Sequence, residues 1–332
     1  MSKEVRLVRR PVGQPSSDDF EVVDRPAPTS APPGHLLVRN TWMSVDPYMR
    51  GRMNDVRSYV DPFALGAALD GAAVGQVIGS SDPRFPVGSD VIHGLGWREV
   101  AVVEASTARR IDTRAAPAEC YLGELGMPGL TAYVGLTRIA PVKQGDVVFI
   151  SAAAGAVGLV AKTVARARGA SRVIGSSGSS EKCHRLVNEF GFDVAINYRD
   201  GDLGHQLAHA APRGIDVYFD NVGGGHLEAA LDNLADHGSV ALCGAISQYN
   251  EEQRPAGPTN LILAITRRLA LRGFLVGDHL DLLPEFGEAA LAWRRDGQLA
   301  SAHSTHIGIE SAVEAFTGLL TGENTGKMLV RL

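Results

Sequence analysis

One stretch limits the possible folds more than any other: Asp146-Val147-Val148-Phe149-Ile150-Ser151-Ala152-Ala153-Ala154-Gly155-Ala156-Val157-Gly158. Its short, unbroken apolar run has the pattern of a strand buried on both faces. Small residues and two glycines follow, and then Leu159 to Arg168, where Val157, Val160, Ala161, Val164 and Ala165 recur at helical spacing. Gly169 is placed to end that helix. Strand, glycine turn and helix together form the setting in which a backbone can approach a pyrophosphate at a helix N-terminus. The turn reads Ala-x-x-Gly-x-x-Gly and departs from Gly-x-Gly-x-x-Gly at its first positions. Taken alone, it favours the dinucleotide reading only moderately, because Ala/Gly-rich turns also occur simply to let a helix pack closely on a sheet.

The chain downstream decides between these. Further strand candidates follow at regular spacing: Arg172–Gly175, Asp193–Ile196, Ile215–Phe219, Ser239–Gly244 and Leu271–Val276. A helix opens at Ser179-Ser180-Glu181-Lys182 and runs to Phe190. Strands alternating with helices imply a parallel sheet covered on both faces, with ligands at the carboxyl ends of the strands. The expected fold class is therefore α/β, a doubly wound Rossmann sheet.

The cofactor is read at the end of the second strand. NAD-selective sites carry an Asp or Glu roughly 20 residues past the glycine turn, to hold the ribose hydroxyls. Here Gly175-Ser176-Ser177-Gly178-Ser179 occupies that place, followed by Lys182. Hydroxyls, open backbone and an ammonium suit an adenosine 2′-phosphate, so NADP(H) is expected. The serines also read as a plain helix N-cap, and the two readings are compatible because a capped helix start is itself an anion site.

A chain of 332 residues is long for one domain and comfortable for two. The net charge of −5, with no basic run, argues against a nucleic-acid or anionic-membrane partner. No segment reads as a membrane span, and Met1 to Arg6 lacks the apolar core of a signal peptide. Cys120, Cys183 and Cys243 lie far apart, the usage expected of a reducing cytoplasm, with Cys183 and Cys243 as packing residues.

The first hundred residues carry ten of the seventeen prolines, with short apolar runs such as Leu36–Arg39, Ala72–Ile78, Asp90–Ile92 and Val100–Val103. Closely spaced short strands with turn residues between them predict a partly open β-barrel. Leu282–Trp293 reads as a helix, and beyond Gly297 come a strand (His303–Ile307), a helix (Ser311–Leu320) and a strand (Lys327–Leu332). The terminal strand needs a sheet, and the amino-terminal β-region is the expected host. The expected division is 1–124 and 298–332 for a discontinuous β-domain and 125–297 for the Rossmann domain.

Five strings occur in order: Ser44-Val45-Asp46-Pro47-Tyr48-Met49-Arg50, Gly126 to Tyr133, Ala152 to Gly158, Asp220-Asn221-Val222-Gly223-Gly224, and Cys243-Gly244-Ala245-Ile246-Ser247-Gln248-Tyr249-Asn250. With the closing Asn324-Thr325-Gly326-Lys327, the chain resembles end to end the zinc-independent medium-chain reductases: prostaglandin reductase, the plant alkenal double-bond reductases and bacterial curcumin reductase. The resemblance implies a GroES-like catalytic domain, a homodimer and NADPH-dependent reduction of the carbon–carbon double bond of α,β-unsaturated aldehydes and ketones. It also implies a cofactor site. Gly155, Ala156, Val157 and Gly158 would hold the pyrophosphate, and Ser177, Lys182 and Tyr198 the adenosine end. Asn221, Cys243, Gly244, Ile246 and Tyr249 follow along the crevice, with Met127, Thr131, Phe274, Val276 and Asn324 completing the set.

Hydride delivered to the β-carbon of an enone moves charge onto the carbonyl oxygen, so a donor is needed there. A metal is not expected: the cysteines form no Cys-x-x-Cys pair, and His303-Ser304-Thr305-His306 has no cysteine beside it in sequence. His35 and His93 read as ordinary polar residues. The candidate donors are Tyr249, just past the fifth strand, and Tyr48, in a β-domain loop expected to close over the same cleft. An ordinary half-buried tyrosine is the competing reading for each. Several relatives carry a further tyrosine where this chain has Thr266, which leaves the cofactor ribose hydroxyl as another donor. Two alternatives stay open: an NADPH:quinone oxidoreductase, and a non-catalytic NADPH-sensing protein.

Overall fold

The computed structural model describes residues 1–253 and 255–332. The chain divides into two units, Met1–Leu122 with His303–Leu332, and Gly123–Ala302. The sequence reading set these divisions at 124 and 297. The short differences have a local cause within the second unit. Glu124 accepts hydrogen bonds from Arg294 (3.4 Å) and Ser301 (2.8 Å), and the Gln298 carbonyl accepts from Thr163 (3.2 Å). Residues 123–124 and 298–302 are thus held by the Rossmann unit.

That unit contains a six-stranded sheet, parallel throughout, in the order Val194–Asn197, Arg172–Ser177, Val147–Ile150, Ile215–Asp220, Leu234–Leu242, Ala270–Gly273. The order of strands reverses between Val147–Ile150 and Ile215–Asp220, and the crevice opens beyond the carboxyl ends of that pair. Phe149 and Tyr218 lie opposite each other in register, and their rings stack at 4.8 Å. They sit in an apolar core with Ile174, Ile196, Leu207, Ile215, Leu231 and Val240.

Two sequence-read strands are shorter at their carboxyl ends than expected. The fifth ends at Leu242, because the amides of Cys243 and Gly244 turn to donate to the Asp220 carbonyl at 2.9 and 3.0 Å. The sixth ends at Gly273. Phe274 leaves the sheet to set its ring edge-on to Phe219 at 6.4 Å, and Val276 begins a 3-10 helix to Leu282. Likewise the helix opened by Ser179 runs Ser180–Asn188 and stops short of Phe190, which is buried.

In the other unit the ten-residue strand His35–Ser44 is shared by three partners. It pairs antiparallel with Ala73–Ser80, with Val100–Glu104 and with the terminal strand Lys327–Arg331. The terminal strand also pairs, in parallel, with His303–Ile307. A strand with so many partners lets the sheet branch, which is how the expected partly open barrel arises. The carboxyl-terminal segment completes the core: Phe316 meets Trp97 and Phe20 at 6.1 and 6.3 Å, and Met328 and Val330 pack with Met43, Val45 and Met49.

Candidate active site

The helix Ala156–Ala167 begins where the glycine turn ends, with Gly155 as its N-cap in an extended conformation. Only glycine fits at 158. A Cβ there would lie 2.6 Å from the Cα and carbonyl oxygen of Ala153 and 2.7 Å from the Ala152 carbonyl oxygen. All three are backbone atoms, so nothing can swing aside. This close approach keeps the helix N-terminus, with its unpaired amides, directly above the strand ends. Such a cradle fits a dinucleotide pyrophosphate.

Asp220 ties the loops of the crevice together. Its Oδ1 accepts from the Tyr218 hydroxyl (2.6 Å), the Val222 and Gly223 amides (2.9 and 2.8 Å) and the Ser151 hydroxyl (3.3 Å). Ser151 in turn accepts from the Asn221 amide at 2.9 Å, and Asn221 Nδ2 donates to the Ser151 carbonyl at 2.8 Å. Asp220, Ser151, Val222 and Gly223 were absent from the sequence-derived site. The Asp-Asn-Val-Gly-Gly string marked the place, but nothing local tells that its acid converges on the glycine turn.

At the second strand, Ser176 and Ser177 are buried and Gly178 follows. Ser179 caps the next helix, accepting from the Lys182 amide at 3.2 Å. Lys182 therefore stands in the first turn of a helix whose amides point at the same spot. Tyr198, 38% exposed, follows the neighbouring strand, and its hydroxyl would lie 2.7 Å from a Cβ at Gly178. Its ring meets His226 edge-on at 4.9 Å. The strand end thus offers serine hydroxyls and, by way of Gly178, the Tyr198 ring, with Lys182 in the first helical turn, while Asp200 is held off on Asn197 Nδ2 at 2.7 Å.

Past the fifth strand, Cys243, Gly244, Ala245, Gln248 and Tyr249 line a pocket of about 500 Å³ with Asp220, the Gly223–Gly225 turn and the Pro255–Pro258 segment. The Ile246 amide donates to the Asn221 carbonyl at 3.3 Å, joining the two loops. The Tyr249 hydroxyl accepts from the Ala245 amide at 3.4 Å. Burial pushes the Cys243 thiol up to about 12, and burial raises the Cys183 thiol as well. Neither is poised to be the thiolate that metal binding or nucleophilic chemistry requires.

Met127 starts the helix Met127–Val134 and is exposed, while the Thr131 hydroxyl donates to the Met127 carbonyl at 2.7 Å. Thr266 is exposed at the end of the short helix Leu263–Thr266. The Rossmann unit thus brings together Gly155–Gly158, Asn221, Cys243, Gly244, Ile246 and Tyr249. It sets Ser177 and Tyr198 at the ends of the two outer strands, with Lys182 in the first turn of the helix between them.

The remaining two candidates belong to the other unit. Asn324 is buried, and its Nδ2 donates to the Gly326 carbonyl at 2.7 Å. Tyr48 is half-buried at the start of the turn Tyr48–Arg52 and packs against the Met43–Met49 core. Burial raises its phenol well above the usual range, helped by Asp46 and opposed by Arg52. Like any phenol it is protonated at neutral pH and can donate, and burial widens that margin.

Comparison with known proteins then gives a consistent result. Residues 3–111 match the family model described as the N-terminal domain of oxidoreductase, and residues 156–293 the one described as zinc-binding dehydrogenase. The chain is 42% identical over 333 residues to a putative NADP-dependent oxidoreductase of Bacillus subtilis, covering 99% of this chain and 97% of that one. It is 40% identical to the NADP-dependent 2-alkenal reductase of Nicotiana tabacum, again covering 99% and 97%. Among solved structures, CurA of Vibrio vulnificus in complex with NADPH superposes with a TM-score of 0.94 at 36% identity, covering 99% and 98% of the two chains.

Proposed function

Because the chain belongs to the zinc-independent double-bond-reductase branch of the medium-chain dehydrogenase/reductase family, we propose that it reduces the carbon–carbon double bond of α,β-unsaturated aldehydes and ketones with NADPH. The observation that carries the cofactor half of this reading is the second strand, which ends in buried serines with no carboxylate from Arg172 to Ser179, ahead of the helix turn that carries Lys182. When bound, NADPH supplies the hydride, and the protein's own residues do the rest.

Gly155 to Gly158 and the helix amides hold the pyrophosphate, and Ser177, Lys182 and Tyr198 hold the adenosine end. The loops joined by Asp220 and Asn221 present Cys243, Gly244 and Ile246 to the reacting ring. Negative charge developing on the acceptor's carbonyl oxygen is met by a hydroxyl donor, for which Tyr249 stands at the Rossmann pocket. Tyr48 is the β-unit's candidate for binding the acceptor, its phenol held protonated with a wide margin by burial. Water supplies the α-proton.

A homodimer and a reducing compartment complete the proposal. Ala270–Gly273 is the edge strand of the sheet, and nearby Leu261, Ile262 and Ile265 are exposed, which suits pairing with a second copy. The three cysteines are free, and among the described residues no helix is long and apolar enough to cross a membrane.

NADPH oxidation against a panel of enones, alkenals and quinones, with products identified, tests the activity. The expected product of an enone is the saturated ketone with its carbonyl intact. An allylic alcohol would place the hydride on the carbonyl carbon and end the double-bond assignment. Turnover confined to quinones would do the same.

A further inference from the structure

The segment 54–70 is irregular and follows the Tyr48 turn directly. It displays Val56, Tyr59 and Leu65, which are 58, 63 and 51% exposed, an unusual density of bare apolar side chains. One side chain holds much of this segment. Arg52 is buried at 9%, and its Nη2 donates to Asp70 Oδ2 at 3.0 Å while its Nη1 contacts Asp70 Oδ1. Its Nε donates to the Asp61 carbonyl at 2.9 Å, and its guanidinium carbon lies 4.0 Å over the Phe63 ring. The Phe63 amide returns a hydrogen bond to the Arg52 carbonyl at 2.7 Å. Tyr48 sits one turn earlier, and its phenol lies within electrostatic reach of Arg52, Asp46, Asp70 and Tyr59.

An ion pair whose carboxylate is 40% exposed is a poor source of stability, because solvent screens it. What a planar, bidentate guanidinium adds is fixed geometry, and here it fixes two things together: the segment 54–70 and the turn that carries Tyr48. We propose that Arg52 is a positioning residue that sets acceptor preference. By clamping segment 54–70 beside Tyr48, it holds Val56, Tyr59 and Leu65 as an apolar rim for the hydrocarbon tail of long-chain or aryl-substituted enones. This rests on the enone-reductase reading for the chemistry, but its own content is the discrimination between acceptors.

The test compares kcat/KM for a long acceptor, dec-3-en-2-one, and a short one, but-3-en-2-one, in wild type, Arg52→Lys and Asp70→Asn. Lysine keeps the charge and loses the fork. The expected result is a fall of about tenfold in the long-to-short ratio for both variants, through KM for the long acceptor. A loss equal on both acceptors would reduce Arg52 to a structural part and overturn the proposal, as would an unchanged ratio. NADPH binding by fluorescence reports whether each variant is folded. Should either clamp variant fail to fold, the surface substitutions Tyr59→Ser and Leu65→Ser carry the test. They are expected to lower the same ratio, and a preserved ratio refutes the rim. Wild type that converts neither enone to a saturated ketone refutes the enone reading itself, a result separate from any ratio.

Discussion

The two units are specified in different ways. The Rossmann unit is written locally: each strand is followed by its own helix, the sheet is parallel throughout, and its key glycine is required by contacts only a few residues away. The β-unit is written at long range, with Val330 in register with Met43 and Trp97 stacked among rings from both ends of the chain. It also relies on buried polar anchors: Lys327, Asn40 with His93, and Arg52, which pairs with the half-exposed Asp70. Local patterning suits a binding site shared by many proteins, whereas long-range polar anchors can position a site peculiar to one. The consequences of the difference can be measured.

The largest effect is expected at Lys327. Its ammonium is buried, donates to the carbonyls of Val45 (2.7 Å) and Met328 (3.0 Å), and pairs with Asp46 at 3.0 Å. It pins the terminal strand to the residues that precede Tyr48. Lys327→Met keeps the length of the side chain but strands Asp46 and two carbonyls, and should cost about 3–5 kcal/mol in urea titration. Lys327→Met with Asp46→Asn should recover part of that. A cost below ~1 kcal/mol would show that the β-unit does not depend on its polar anchors.

His93 comes next. Its Nε2 lies 2.9 Å from Asn40 Oδ1 and its Nδ1 accepts from the Leu95 amide at 3.1 Å, so the ring is held neutral. Burial, with Arg98 nearby, lowers its pKa from 6.5 to about 4. The unfolded chain therefore binds a proton that the folded chain refuses. The stability that follows is present above about pH 6.5 and drains away as pH falls toward 4, amounting to about 3 kcal/mol. Urea midpoints between pH 7.5 and 4 should fall more steeply for wild type than for His93→Gln. Parallel slopes would mean that His93 is protonated without penalty.

These anchors mark what could and could not be read from the chain itself. The glycine turn was legible because the clash that demands glycine is local, and the missing acid after the second strand was legible for the same reason. The ends of the fifth and sixth strands were not. Cys243-Gly244 and Phe274 to Val276 continue an apolar pattern, and only the Asp220 carbonyl and the Phe219 ring, supplied by the fourth strand, draw them out of the sheet. Asp220 itself, like Arg52, stood inside or beside a noted string with no local sign of its role. A buried polar residue is defined by partners that the fold brings from elsewhere, so periodicity is silent about it.

The Rossmann unit should respond more selectively. Lys182 stands in the first turn of the helix capped by Ser179, just past the end of the second strand. Lys182→Ala should weaken NADPH by about 1–3 kcal/mol, the range of a charge-assisted hydrogen bond, and hardly change NADH. Equal losses for the two cofactors, measured by isothermal titration, would remove Lys182 from 2′-phosphate recognition. Wild type that used NADH as efficiently as NADPH would go further and remove the preference itself.

The smallest effect is expected at Tyr249, and it sets the limit of what the local code supplies. A phenol acting as sole donor to the developing oxyanion would be worth roughly 10²–10³ in kcat. Here the hydroxyl already accepts a long bond, 3.4 Å, from the Ala245 amide, and its loop is fixed by separate bonds from Ile246 to Asn221 and from Ser247 to Val222. Removing the hydroxyl therefore leaves the loop in place. At position 266 this chain has an exposed threonine, so that position supplies no phenol. If the oxyanion is nonetheless shared among donors, Tyr249→Phe should lower kcat by no more than about tenfold, near the net worth of one hydrogen bond. Tyr48→Phe should act instead through acceptor KM. A 10³-fold loss of kcat at Tyr249 with NADPH affinity intact would reverse that ranking, making one phenol on the locally written unit the principal donor.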